Sequence, residues 1–337
     1  ENTNGDTLMA AFTHNDAPNT SGAAVAVGDC DGDGHQDLVY LRKNDPGTPA
    51  EGAKLYVFSN LGDGTVGYNL PAEAAIDLGN DIEGLDLAVA DIDGDGLLNI
   101  VVLVRDPLET GPQLLYWETL AANSCSVGVA ATPTALFGDM KKMGLGRFDT
   151  NNTLDLAVVG TETWVGTVCT DFSADKYTCG GSISTFAIAG FDGTSVHGAD
   201  ITGNGRHEIV VSDYAGVNRV YTFNFPVIEL TSKQFGGTST TDLAFGDLNG
   251  DGDLDIVECN ELSPDHVLST ATLVDTFLDV TVEATRACAV GDMDGDGDLD
   301  LVKAVGDGPW EIRISKGLGT AYNMLGDGSV FGPVGAT

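Results

Sequence analysis

Acidic side chains recur along the chain at one fixed spacing inside short glycine-rich stretches. The best formed is Asp292-Met-Asp-Gly-Asp-Gly-Asp-Leu-Asp300, with acidic oxygens at its first, third, fifth and ninth positions. Hard divalent cations need oxygen ligands, and calcium accepts about six to eight of them at flexible geometry. Side chains at positions 1, 3 and 5 of a tightly turned loop converge on one point. Glycines at 4 and 6 permit the turn, and position 7 can offer its backbone carbonyl. Magnesium suits such a loop less well, because it demands strict octahedral geometry and holds its waters. A plain β-turn is the bland alternative, since Asp and Gly are common turn residues. Carboxylates crowded at about 4 Å repel by roughly 1 to 4 kcal/mol per pair, however, and repeated crowding of that kind calls for a bound cation.

The stretch has five relatives. In chain order they are Asp29-Cys-Asp-Gly-Asp-Gly-His-Gln-Asp37, Asp91-Ile-Asp-Gly-Asp-Gly-Leu-Leu-Asn99, Arg147-Phe-Asp-Thr-Asn-Asn-Thr-Leu-Asp155, Asp200-Ile-Thr-Gly-Asn-Gly-Arg-His-Glu208 and Asp247-Leu-Asn-Gly-Asp-Gly-Asp-Leu-Asp255. Their first positions lie 62, 56, 53, 47 and 45 residues apart. Periods of that length mark a repeat architecture in which each unit is one small sheet.

The flanks repeat as faithfully as the loops. A small residue stands just before each loop (Gly28, Ala90, Gly146, Ala199, Gly246, Gly291), and the residue before it is usually large and apolar (Val27, Val89, Leu145, Phe245, Val290). That period of two suits an inner strand squeezed between neighbouring sheets. Inner strands are therefore expected near 24–29, 86–91, 142–147, 195–200, 242–247 and 287–292. After each loop come β-formers such as Leu38-Val39 and Ile256-Val257, which read as a second strand, and most units hold two further candidates. Six units of about four strands cannot bury their faces singly. Radial stacking into a β-propeller solves that problem and leaves only short edges. The expectation is one all-β domain over 1–337, a propeller of six four-stranded blades, with seven blades or a solenoid as alternatives.

The pattern small-Asp-x-Asp-Gly-Asp-Gly-x-x-Asp-[Leu/Ile]-Val resembles the FG-GAP/VCBS repeat family, which includes the propeller heads of integrin α subunits. The resemblance implies a calcium-bearing propeller of six to eight blades in which the ninth loop position closes the metal site. Carried onto this sequence, it gives Asp29, Asp31, Asp33, the His35 carbonyl and Asp37 in loop one, and Asp91, Asp93, Asp95, the Leu97 carbonyl and Asn99 in loop two. Loop four offers Asp200, Thr202, Asn204, the Arg206 carbonyl and Glu208. Loop five offers Asp247, Asn249, Asp251, Asp253 and Asp255, and loop six Asp292, Asp294, Asp296, Asp298 and Asp300. Four to five calcium ions are expected, bound most strongly in loops one, five and six and more weakly in loop four, which keeps only two acids. In loop three Arg147 replaces the first ligand, and its guanidinium is expected to pair with Asp149 or Asp155 in place of a metal.

Composition limits the rest. The chain has 337 residues, 15 Lys+Arg against 51 Asp+Glu, and a formal net charge of −36. Binding to nucleic acid or to an anionic membrane is excluded as a theme, because both need a basic face. No apolar run approaches the roughly 18 residues of a membrane-spanning helix, so no membrane insertion is expected. A chain beginning at Glu1 suggests a processed, secreted or cell-surface product. Cys169 and Cys179 bracket a polar insertion and form a candidate disulfide, whereas Cys30, Cys259 and Cys288 occupy apolar repeat positions and read as buried thiols. Asn19 and Asn151 head glycosylation triplets. The five histidines form no zinc or triad motif; His197 stands where the other units carry Ala or Gly and is a candidate for the central channel.

Three functions are compatible with these features. The first is a non-catalytic extracellular propeller that recognises glycans or proteins. The second is a subunit of an extracellular filament, suggested by the strand-like segment Thr7–Phe12 and the C-terminal run Gly328-Ser-Val-Phe331. The third is a polysaccharide-active enzyme, for which the sequence offers no catalytic pair.

Overall fold

The computed structural model describes residues 22–29, 37–43, 52–58, 76–79, 81–91, 96, 98–106, 111–121, 124–127, 134–135, 140–148, 154–160, 166–169, 172–173, 178–179, 183–186, 192–224, 227–269, 275–277, 284–291, 299–305, 311–315 and 329–331. Among them every helix or strand is a strand, and no helix is long and apolar enough to cross a membrane.

Six antiparallel sheets follow one another along the chain, each built from a contiguous stretch with its strands in sequence order. The first holds Gly22–Gly28, Asp37–Arg42, Lys54–Phe58 and Ile76–Asp77; the fifth holds Thr240–Gly246, Asp255–Asn260, His266–Ser269 and Asp275–Phe277. The second sheet has an additional short strand, Thr134–Ala135, on its third strand. In the third, a two-stranded ribbon of Phe172–Ser173 and Thr178–Cys179 lies between the third and fourth strands in sequence. The sixth sheet ends in Ser329–Phe331 paired with Glu311–Ser315, so the C-terminal run is its fourth strand. The segment Thr7–Phe12 lies outside the described residues.

The loops sit at one place in every sheet. The residue before each loop pairs with its ninth residue: Gly28 with Asp37, Ala90 with Asn99, Gly146 with Asp155, Ala199 with Glu208, Gly246 with Asp255 and Gly291 with Asp300. Each loop therefore joins the first two strands, as the flanking pattern implies. A second regularity was not visible in the sequence. In all six sheets the pairing of the first two strands slips once, at Ala23, Leu85, Lys141, Thr194, Thr241 and Arg286, six residues before each loop. A bulge bends and twists its strand locally.

First strands of consecutive sheets pack on one another from the first sheet to the sixth. The small residue before the loop is what allows this approach. A Cβ on Gly246 would lie 3.0 Å from Val290 Cγ1 and 2.7 Å from Leu299 Cδ1 of the sixth sheet; one on Gly28 would lie 3.1 Å from Val89 Cγ1 and 2.5 Å from Leu98 Cδ1 of the second. Residues two and four before a loop thus face the preceding sheet, and those one, three and five before it face the following sheet. Apolar clusters fill the spaces between, for example Leu41, Leu55, Ile100 and Leu103, all fully buried.

Polar bridges span the same junctions. Asp86 Oδ2 accepts the Met143 amide of the third sheet at 3.0 Å, and Asp242 Oδ2 accepts the Cys288 amide of the sixth at 3.2 Å. Burial pushes the Asp86 carboxyl above its usual range, although Lys142 at 3.5 Å and that amide oppose the shift. Thr194 and Thr241, at the bulges, donate to the carbonyls of Thr240 and Thr285 on the next sheet. A buried latch also appears twice. Asn218 accepts the Asp213 amide and donates to Thr240 and Glu258 of the fifth sheet; Asp265 accepts the Asn260 amide and receives Thr285 and Lys303 of the sixth. The geometry is shared while the charge is exchanged, Asn facing Glu in one junction and Asp facing Lys in the next.

One expectation is corrected at this junction. Cys259 and Cys288 are not thiols but a disulfide joining the fifth sheet to the sixth. Cys288 stands four residues before its loop, so it faces the preceding sheet, where Cys259 meets it. Both remain part of an apolar cluster with Val257, Val267 and Leu301. Cys30 lies outside what the structure describes, as do the side chains of Cys125, Cys169 and Cys179.

Removing one member of the latch should be costly. Asp265→Ala takes the carboxylate away from Lys303, whose side chain is 4% exposed, and loss of one partner of a buried pair costs about 3–5 kcal/mol. Urea melts should show that loss, and Asp265→Ala with Lys303→Met should recover much of it.

Candidate metal loops and the cleft between them

Loops four and five are described in full, and their geometry is that of a turn wound around its own first side chain. In loop five Asp247 Oδ1 accepts the amides of Gly250 and Asp251 at 2.8 and 3.1 Å, and Oδ2 that of Gly252 at 2.9 Å. Asn249 Oδ1 accepts the Asp251 amide and Asp251 Oδ1 the Asp253 amide. Loop four repeats the arrangement, with Asp200 accepting from Asn204 and Gly205 and Asn204 Oδ1 accepting from Arg206. In loop two, Asp91 Oδ2 takes the Gly96 amide at 3.1 Å. The amide of the sixth residue thus closes on the first carboxylate in each of these three loops. Gly250 and Gly252 at φ 73° and 89°, and Gly203 and Gly205 at 66° and 83°, hold the left-handed turns that this winding requires.

The ninth residue behaves differently from the rest. Asp37, Asn99, Asp155, Glu208 and Asp255 are all at most 1% exposed. In loops three, four and five the side chain turns under the loop, where Asp155 accepts the Phe148 amide at 2.7 Å, Asp255 the Leu248 amide at 3.0 Å and Glu208 the amides of Ile201 and Thr202. Apart from that of Thr202, those amides belong to the loop's second residue, an apolar plug buried as Phe148, Ile201 or Leu248. Sequence reasoning assigned position 9 to the metal alone and missed this capping role. The signal was present in loop three, which keeps Asp155 although its first ligand is Arg147.

Arg147 itself is exposed, with Asp155 engaged by Phe148. Its carbonyl accepts the His207 amide of loop four at 2.9 Å. Asp149 lies outside the described residues, as do Asp31, Asp33, His35, Asp93, Asp95, Leu97, Asp292, Asp294, Asp296, Asp298, Asn19 and Asn151; for Asp300 the backbone alone is described. Among the described residues no three acidic, histidine or cysteine side chains come together as one metal-binding group. Loops four and five nonetheless present oxygen donors that suit a hard cation: Asp247, Asn249 and Asp251 at positions 1, 3 and 5 of loop five, and Asp200, Thr202 and Asn204 in loop four. Both oxygens of Glu208 are engaged, Oε1 by the Thr202 hydroxyl at 3.0 Å.

Between loops four and five lies a cleft of ≈ 700 Å³ whose lining includes Asp200, Thr202, His207, Phe245, Asp247 and Asp253. Burial pulls the His207 imidazole below its usual pKa, with Arg147 acting in the same direction and Asp200 and Glu208 opposing. His197, three residues before loop four, faces the fifth sheet, with Nε2 3.5 Å from Asp242 Oδ1 and its ring 5.3 Å from that of Phe245.

The comparisons with known proteins fall where this geometry points. The FG-GAP-like repeat matches residues 29–102 and 200–258, so the chain carries FG-GAP-like repeats across loops one, two, four and five. No curated protein matches it. Among solved structures it is similar to BBS1N in complex with ARL6DN, soaked with lead (TM-score 0.55, 12% identity, covering 87% of this chain and 79% of that one). A mercury-soaked crystal of the same complex gives TM-score 0.54 at 11% identity, covering 87% and 78%. The fold is all-β and of the β-propeller kind.

Two outcomes check this geometry. Asp155→Ala, which leaves a buried amide without its acceptor, should lower stability by about 1–3 kcal/mol, equally with calcium and with a chelator. For His207, the unfolded chain binds more protons than the folded one between the depressed folded pKa and the ordinary value near 6.5, so stability falls as pH drops through that window. Thermal melts from pH 7.5 to 5 should show a smaller acid loss in His207→Gln.

Proposed function

We propose that the chain is a non-catalytic, calcium-stabilised propeller of six blades that recognises a protein or glycan partner outside the cell. The observation that carries this reading is the shared winding of loops two, four and five, in which backbone amides orient the first carboxylate. A divalent ion would be held by the side-chain oxygens at positions 1, 3 and 5 and the carbonyl at position 7. It would supply the positive charge that offsets the loop's own repulsion. Each ion would tie the first strand of a blade to its second.

An extracellular setting is supported by the Cys259–Cys288 disulfide, since such bonds persist in oxidising compartments. Recognition is assigned to the loop end, where the cleft between loops four and five joins acidic groups to the face of Phe245. BBS1N is seen in complex with ARL6DN, which makes a protein partner a natural reading for a fold of this kind.

Differential scanning calorimetry in calcium and in EDTA tests the proposal. One site filled a hundredfold above its Kd contributes about 2.7 kcal/mol, so chelation should lower Tm by several degrees. Asp247→Ala should shrink that calcium-dependent shift. An unchanged Tm on chelation would contradict the reading.

A further inference from the structure

The far end of the first strands gathers positive charge that the acidic loops do not explain. Between the first three sheets, at their slips of register and about 20 Å along the strand from the loops, lies a pocket of ≈ 260 Å³. Lys43, Glu83, Arg105, Lys141 and Lys142 line it, and Ala23 and Leu85 supply apolar wall. Four of the 15 Lys+Arg in a chain of net charge −36 thus meet around one carboxylate. Two features of the fold bring them together. Lys43 and Arg105 each stand fourteen residues past the first residue of their loop, a position that is Tyr214 and Glu261 in the fourth and fifth sheets, where the two copies meet through a 2.8 Å hydrogen bond. Neighbours 141 and 142 of a regular strand would point to opposite faces, but the slip at Lys141 lets both line the pocket.

These cations are met less completely than those elsewhere. Arg219 and Lys303 have carboxylates at 2.9 and 2.8 Å, each its own. In the pocket Lys43 and Arg105 share the single carboxylate of Glu83, one oxygen each, at 2.9 and 2.8 Å. Lys141 and Lys142 stand 3.7 and 3.5 Å from Asp192 and Asp86, with side chains 43% and 36% exposed. Burial acts to raise the Glu83 carboxyl, yet Lys43 and Arg105 bring it below its usual range. Apolar walls focus the field of charges grouped in this way. We propose that the pocket is an anion site that takes a tetrahedral oxyanion, the sulfate or phosphate group of a ligand, on the ammonium groups of Lys141 and Lys142 with Lys43 and Arg105 beside them. Glu83 shows that two donors occupy both oxygens of a carboxylate. Donors arriving from three sheets suit a group with three or four oxygens. The site is opposite in sign to the cleft beside loops four and five and lies at the other end of the sheets, so it stands whether or not the loops hold calcium.

Titration of the full chain with sodium sulfate, glucose-6-phosphate and glucose-6-sulfate at low ionic strength, read by amide NMR shifts and calorimetry, tests this. The amides of 83–85 and 141–142 should shift, and added salt should weaken binding. Lys141→Gln with Lys142→Gln, both at partly exposed side chains, should lower affinity about tenfold. Lys233→Gln, in the fourth sheet, should leave it unchanged. Glu83→Gln removes the competing carboxylate and should bind the same anions several-fold more tightly, a gain that misfolding cannot produce. Whichever ester binds more tightly names the source of the group. The proposal is overturned if no anion shifts those amides, if the double lysine variant keeps its affinity, or if Glu83→Gln binds no more tightly. Equal affinity for glucuronate would also overturn it, by showing that the pocket reads charge alone.

Discussion

Consecutive sheets approach so closely that one side of each contact must be glycine or alanine. Gly28 beneath Val89 and Gly246 beneath Val290 show the constraint directly, since a single added Cβ would sit at or inside van der Waals limits. The rest of the fold follows from that spacing. Strands that near one another bury their apolar side chains almost completely, and any polar group caught between them must find a partner there. The second condition explains the Asp86 and Asp242 bridges, the threonines at the bulges and the two latches built on Asn218 and Asp265. The exchange of Asn–Glu for Asp–Lys shows that the position requires a donor facing an acceptor, and is indifferent to which side supplies the charge.

The loops carry a second load. In loops three, four and five the ninth residue lies under the turn and caps the amide of an apolar plug, so the loop is fastened to the sheet beneath it before any cation is considered. Above that fastening, the oxygens at positions 1, 3 and 5 face a region crowded with negative charge in a chain whose net charge is −36. The division of labour explains why loop three can lose its first ligand to Arg147 and still form a hairpin closed by Asp155 and Phe148.

Much of this was legible in the residues themselves. The alternation of large and small before each loop located all six first strands, and the loop spacing located the hairpins, because both depend on neighbours within about ten positions. Partners across a junction were not legible. Glu258 and Asn218 stand 40 residues apart and Lys303 and Asp265 stand 38 apart, and nothing in either stretch says which face meets which. Cys259 and Cys288 were misread for the same reason: each occupies a position that is usually apolar, and their encounter depends on the fourth residue before a loop facing the preceding sheet. The bulges were hidden because a slip of register leaves no mark in hydrophobic pattern when both faces of a strand are buried.

The account turns on whether the acidic loops are cation sites or merely tight turns, and stoichiometry decides between them. Elemental analysis of the full chain after equilibration with calcium and exhaustive gel filtration in calcium-free buffer at low ionic strength counts the tightly held ions. Repeating it by calorimetric titration captures the weaker ones. The account predicts four to five calcium ions per chain, with loop four the weakest. A chain that holds none, or only a single ion, would contradict it.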